Sequence, residues 1–158
     1  MSGYPVLLAS HVMVGTAGLL LGPVLAWADA RAWRQARGLG DWYLGVLAAV
    51  CLTATGMVLW HRHDLWWLIP VSALTFTLGV LGRRAAGRPA AWTHAYVHGL
   101  GGSYIALWTA TLVVAFAIDG PLYGSAQLIA WLGPTLVALP LLELWRRHLP
   151  SPALARTP

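Results

Sequence analysis

Polar residues interrupt this chain at wide intervals and leave five long apolar runs. They extend from Tyr4 to Trp27, Trp42 to Trp60, Leu65 to Leu81, Trp92 to Ile118 and Tyr123 to Trp145. The fourth is the most continuous, with 27 residues and no formal charge. At a helical rise of about 1.5 Å per residue, such a run crosses a hydrocarbon layer of about 30 Å with residues to spare. The third is shorter, about 17 residues by the same spanning criterion, and contains Pro70. Tryptophans sit near most of the run ends, at the level where aromatic anchors meet lipid headgroups. The pattern predicts an all-α integral membrane protein. It is a bundle of five transmembrane helices in one domain over 1–149, followed by a short disordered cytoplasmic tail over 150–158.

Within the fourth run, His94, His98, Gly101, Ile105, Thr109, Leu112 and Phe116 fall on one stripe at about 100° per residue. Its polar end is costly against lipid, so the stripe is expected to face the bundle interior.

Composition strengthens the membrane assignment. Of 158 residues, 58% are hydrophobic and only 9% charged, and mean hydropathy is +0.65. A soluble domain carries roughly 25% charged residues. The net charge of +5 comes from ten arginines and no lysine. In a soluble protein this excess would point to nucleic acid; here its placement points to orientation. Arg31, Arg34, Arg37, Arg83, Arg84, Arg88, Arg146, Arg147 and Arg156 fall on one set of alternate loops, and Arg62 alone on the other. The positive-inside rule puts the N-terminus outside and the C-terminus in the cytoplasm, as five spans require. The arginine-only, Ala-, Gly-, Leu- and Trp-rich usage suggests a GC-rich bacterium, and hence its inner (cytoplasmic) membrane. The first run follows MSGYP without a basic segment, so it is expected to stay as a membrane helix. A lone cysteine, Cys51, allows no internal disulfide.

Small residues recur at helical spacing, at Gly15, Gly18 and Gly22 and again at Gly99, Gly101, Gly102 and Ser103. They serve either close helix packing or the approach of a flat cofactor to the backbone. An inverted repeat of helices 1–2 and 4–5 is also suggested. His11-x-x-x-Gly15-Thr16 pairs with His98-x-x-x-Gly102-Ser103, and Leu59-Trp60-His61 with Leu144-Trp145-Arg146.

HGLGGSYIALWTATLVV followed by WLGPTLVALPLLELWRR, with HVMVGTAGLLLGP in the first run, resembles a family of small bacterial multi-pass membrane proteins of unknown function. The shared positions are His98, Ser103, Tyr104, Ile105, Thr109, Ala110, Trp131, Pro134 and Thr135. The Met frequent after the family's histidine is replaced around Leu100, and the Phe after its Thr-Ala pair by Thr111. The resemblance implies a multi-helix membrane fold and no particular activity.

Intramembrane histidine marks a functional site by default, and neutral imidazole is the usual protein ligand of haem iron. His11 and His98 are the leading candidates for cofactor or metal ligation. By helical rise they lie roughly 10–15 Å apart in depth, too far to grip one iron in one chain. Two sites, one per face, remain open. His11, Met57, His61 and His63 lie toward the outer face, and His94, His98 and His148 toward the inner. His11 with Met57 is an accepted haem pair. A quinone needs only hydrogen-bonding groups and an aromatic wall, which His98, Tyr104 and Trp108 can supply. The competing reading is structural: His94 paired with Glu143, His61 and His63 at the interface, His148 solvated. The expected function is a membrane redox protein binding b-type haem or quinone. The alternatives are an accessory or assembly subunit, or a small transporter. Expected partners are the bilayer and, within it, a second copy or a larger membrane complex, with no nucleic acid. No nucleophile–base pair, phosphate loop or zinc ligand set is visible, which argues against an enzyme.

Overall fold

A computed structural model of the chain describes residues 3–31, 36–86, 88, 93–118, 120–122 and 124–149. Five helices run through it: α1 (Tyr4–Ala30), α2 (Ala36–Trp60), α3 (Leu68–Ala85), α4 (Thr93–Leu112) and α5 (Gln127–His148). α4 continues into a π-helical turn, Val113–Ile118, and 3-10 turns at His63–Leu65 and Gly124–Ala126 precede α3 and α5. No strand occurs among the described residues. All five apolar runs are thus helical. The proposed tail, 150–158, lies outside the described residues, as do Arg34 and Arg156.

Four of the helical stretches, Tyr4–Ala30, Ala36–Trp60, Thr93–Ile118 and Gly124–His148, are long and apolar enough to cross a membrane. Their outward faces are apolar as well: Val6, Met13, Leu52 and Leu136 are each about 70% exposed. A water-soluble bundle would carry charge there; a lipid-facing one does not need it. Pro23, Pro134 and Pro140 lie inside helices, whereas two others fall where the backbone tolerates them. Pro5 opens α1. Pro70, in α3, lies in the first turn, where no helical N–H is required.

Successive helices pack side by side, and α1 also touches α4 and α5. α1 and α3 are not packed as neighbours, so α1 to α4 form a square with these two on the diagonal. The tightest approach joins α3 to α4. A Cβ on Gly99 would lie 2.5 Å from Gly82 Cα, and one on Gly82 would lie 2.5 Å from Leu100 N. In the core Tyr43 of α2 donates to Ser103 of α4 (3.1 Å), whose own proton goes to the Leu100 carbonyl (2.7 Å).

The arginine-rich end is cross-tied. Arg83 of α3 donates two hydrogen bonds to Asp41 of α2 (2.6 and 2.8 Å), and the Tyr96 hydroxyl of α4 donates to Asp29 of α1. On α5, Glu143 holds Arg146 and Arg147. That removes the expected His94–Glu143 pair: two guanidiniums saturate the carboxylate, and His94 stacks on His98 instead. At the opposite end Arg62 pairs with Asp64, holding its carboxyl below the usual range.

One expectation about α4 is corrected. Its buried face carries Val97, Leu100, Ser103 and Leu107, while His94, His98 and Phe116 are exposed. The helix is turned so that, of the stripe, only Gly101 is buried, against Leu142, and the two histidines face outward. The Gly82–Gly99 contact and the Ser103 hydrogen bond choose that rotation, because both demand that these residues face α3 and α2.

Gly99→Val should therefore destabilise the bundle by about 1–3 kcal/mol, since backbone faces backbone and neither can move aside. Gly45→Ala, with nothing within 4 Å of the new Cβ, should leave stability unchanged or slightly raised. Thermal unfolding in one detergent, followed by circular dichroism, checks both.

Candidate functional site

α1 and α4 meet in the halves nearer the arginine-rich end. Pro23 has no N–H, so the carbonyl of Leu19 four residues earlier lacks its helical partner. The Tyr104 hydroxyl of α4 donates to that carbonyl at 2.9 Å, and its ring occupies the space left by Gly22. One turn further out, Leu107 packs on Gly18. Beyond it the two helices part.

A cavity of about 550 Å³ opens there, walled by α1 and α4 and floored by α2 and α3. Most of its lining is aliphatic, including Leu8, Val12, Leu47, Val71, Leu107 and Val114. Gly15 faces it with no atom within 4 Å of a Cβ placed there. Clefts of this size and lining suit small lipophilic ligands. The glycines accordingly divide: Gly18, Gly22, Gly99 and Gly101 serve close packing, and Gly15 opens the cleft.

His11 stands in this wall, and its Nδ1 lies 2.8 Å from Thr53 Oγ1 of α2. The Thr53 hydroxyl has one proton, which it gives to the Ala49 carbonyl (2.7 Å) or the Val50 carbonyl (3.0 Å). When that proton goes to a carbonyl, His11 Nδ1–H donates to Thr53. In the neutral ring Nε2 is then a bare lone pair, an acceptor or a metal ligand. No carboxylate lines the cleft among the described residues, so the surroundings suit a neutral ring.

The other polar groups in the lining are Thr16, Thr75 and Thr111, whose hydroxyls bond back to carbonyls of their own helices. Cys51 Sγ donates to the Ser72 carbonyl (3.4 Å). The Ser72 hydroxyl itself has no protein partner among the described residues. α1 and α3 thus offer one acceptor, His11 Nε2, and one donor, Ser72 Oγ–H, from diagonal corners of the cleft. Arg62 and Tyr4 stand at the end of the cleft away from the arginine-rich end, where Tyr4 stacks on His61 at 4.5 Å.

The sequence-based candidates separate accordingly. His11 and Met57 both line the cleft. Tyr104 lies outside the lining and is engaged by the α1 backbone at Leu19. Trp108 lies at the surface. His94 and His98 are outside the cleft, exposed and stacked on one another at 5.4 Å, with His98 Nδ1 bonded to the His94 carbonyl. Hence His11 and His98 do not converge on one ligand, and no group of three metal-binding side chains forms among the described residues. His148 bonds to the Leu144 carbonyl at the end of α5.

Thr53 and Ser72 were missed in the sequence. A signal for Thr53 was present: it lies seven residues before Trp60, and His11 seven after Tyr4, so an antiparallel pair puts them at one depth. Ser72 carries no such mark. The chain matches no protein-family model, no curated protein and no solved structure.

Thr53→Val removes the acceptor and keeps the shape. It should cost about 1 kcal/mol of stability and release the ring from its single tautomer. Nitrogen-15 shifts of labelled histidine, assigned by the signal lost in His11→Gln, should show Nδ1–H in the parent and a tautomer mixture in Thr53→Val.

Proposed function

We propose that this protein spans a bacterial cytoplasmic membrane and binds a lipid-soluble ligand of the quinone–quinol class in the cleft between α1 and α4. The observation that carries the reading is His11: an imidazole whose Nδ1 lies 2.8 Å from Thr53 Oγ1, in the wall of an apolar cavity of about 550 Å³. An acceptor at that place selects a ligand with a hydroxyl to donate, as a quinol has, and Ser72 can donate to a carbonyl. The apolar remainder of the cleft suits an isoprenoid tail. Haem is the second reading, favoured by His11 and Met57 lining the same cleft. The resemblance to small bacterial membrane proteins agrees with the location and adds no activity. A second copy or a larger membrane complex is the partner expected in the bilayer.

The topology we propose is five spans with the N-terminus outside. α3 joins the outer end of α2 to the inner end of α4, and its 18 residues reach about 27 Å at helical rise. Among the described residues, Arg31, Arg37, Arg83, Arg84, Arg88, Arg146 and Arg147 lie at one end and Arg62 at the other, which supports a cytoplasmic C-terminus. Cysteines introduced into a Cys51→Ala background test it. Residues 3 and 120 should label from outside and residue 86 should not; labelling of 86 from outside reverses the orientation.

Ligand binding is tested on the purified protein with a short-tailed benzoquinol. His11→Leu should weaken binding about tenfold, the worth of one hydrogen bond near 1 kcal/mol. Ala110→Trp should abolish binding by filling the cleft while the bundle stays folded. Unchanged affinity in both variants overturns the site. A Soret band in the purified protein, lost in His11→Leu, would assign the cleft to haem instead. A colourless protein without quinol affinity would leave the accessory-subunit or transport readings.

A further inference from the structure

A second cavity, of about 220 Å³, lies at the arginine-rich end, away from the cleft. Arg37 of α2, Arg83 of α3 and Arg88 from the segment after α3 converge on it, and Asp29, Thr93 and Tyr96 complete the polar part of its lining. The three guanidiniums come from separate places in the chain, so the gathering is a product of the fold.

The carboxylates nearby are already engaged. Asp41 receives both hydrogen bonds from Arg83, which pins that guanidinium in the wall with its side chain only 19% exposed. Asp29 receives the Tyr96 hydroxyl. Three arginines against two carboxylates leave one positive charge over. Arg37 is exposed, and its charge acts with that of Arg83 on Asp41.

Membrane orientation alone asks only that arginines lie at this end, not that they share a cavity. The others there do different things. Arg31 lies over the Trp27 ring at 4.4 Å, and Arg146 and Arg147 are held by Glu143. The three arginines line an open space that would hold roughly seven waters at about 30 Å³ each, enough for a phosphate group and the first atoms attached to it. Guanidinium forks match phosphate oxygens in geometry as well as charge. Basic pockets between helices on the cytoplasmic side are also where anionic headgroups meet a membrane protein.

We propose that this pocket binds a phosphate group, supplied by an anionic phospholipid headgroup or by free phosphate, with Arg37, Arg83 and Arg88 as donors. The site is independent of the cleft. The test uses the full chain in detergent. Native mass spectrometry is run with phosphatidylglycerol and, separately, phosphatidylcholine, and inorganic phosphate is followed by phosphorus-31 line broadening.

Either a phosphatidylglycerol adduct preferred over phosphatidylcholine or broadening of phosphate is expected, and Arg37→Gln/Arg88→Gln should weaken it about tenfold or more. Arg146→Gln/Arg147→Gln should leave it unchanged. An adduct that millimolar phosphate does not displace identifies the lipid as the source; broadening without an adduct identifies the free ion. Equal binding of both lipids with no phosphate broadening overturns the proposal, as does an Arg37→Gln/Arg88→Gln protein that binds like the parent. Should the double variant fail to fold, Arg37→Gln alone, altering an exposed side chain, must still lose severalfold affinity.

Discussion

The bond from the Tyr104 hydroxyl to the Leu19 carbonyl stands where a backbone hydrogen bond cannot. Pro23 removes the donor that would have met that carbonyl, and in hydrocarbon no water replaces it. A phenol from α4 does so, and it reaches the backbone because Gly22 has no side chain in the way. The consequence is architectural. α1 is tied to α4 at that depth, Leu107 on Gly18 continues the contact for one turn, and the cleft begins where it stops. A proline that looks like a weakness of the first helix thus sets the inner boundary of the candidate ligand site.

The two ends of the bundle are held differently. At the arginine end, Asp29 with Tyr96 links α1 to α4, and Asp41 with Arg83 links α2 to α3. Tyr43 with Ser103 joins α2 to α4 in the core. At the other end the ion pair Arg62–Asp64 is local, and the Tyr4–His61 stack is the ring contact between α1 and the end of α2. In the cleft half the ties between helices are uncharged, His11 with Thr53 and Cys51 with Ser72, whereas at the arginine end they involve carboxylates.

Much of this molecule was legible along the chain. Run length and hydropathy are local quantities, so the five helices followed from residues a few positions apart, while their ends moved: α2 begins at Ala36 rather than Trp42, and α3 runs from Leu68 to Ala85 rather than from Leu65 to Leu81. Arginine placement is equally local, and of the arginines the structure describes all but Arg62 lie at one end. His11 and Met57 were also recognisable, because a polar or sulfur-bearing side chain inside an apolar run stands out.

What the chain could not disclose was how each helix is turned. A soluble helix shows its buried face by its apolar stripe; a helix apolar on every side shows none. The stripe through His94 and His98 therefore suggested an interior that α4 does not present, because Gly99 and Ser103 needed that side more. Partnerships over long separations decided the rest: His11 with Thr53, Tyr104 with Leu19, Arg83 with Asp41. The glycines make the point most plainly. Gly15 and Gly22 are seven residues apart on one helix, yet one opens into the cleft and the other admits a tyrosine ring. The sequence determined that there would be a membrane bundle of apolar helices. Tertiary packing decided which polar atoms in it remained free, since that depends on which helix faces which.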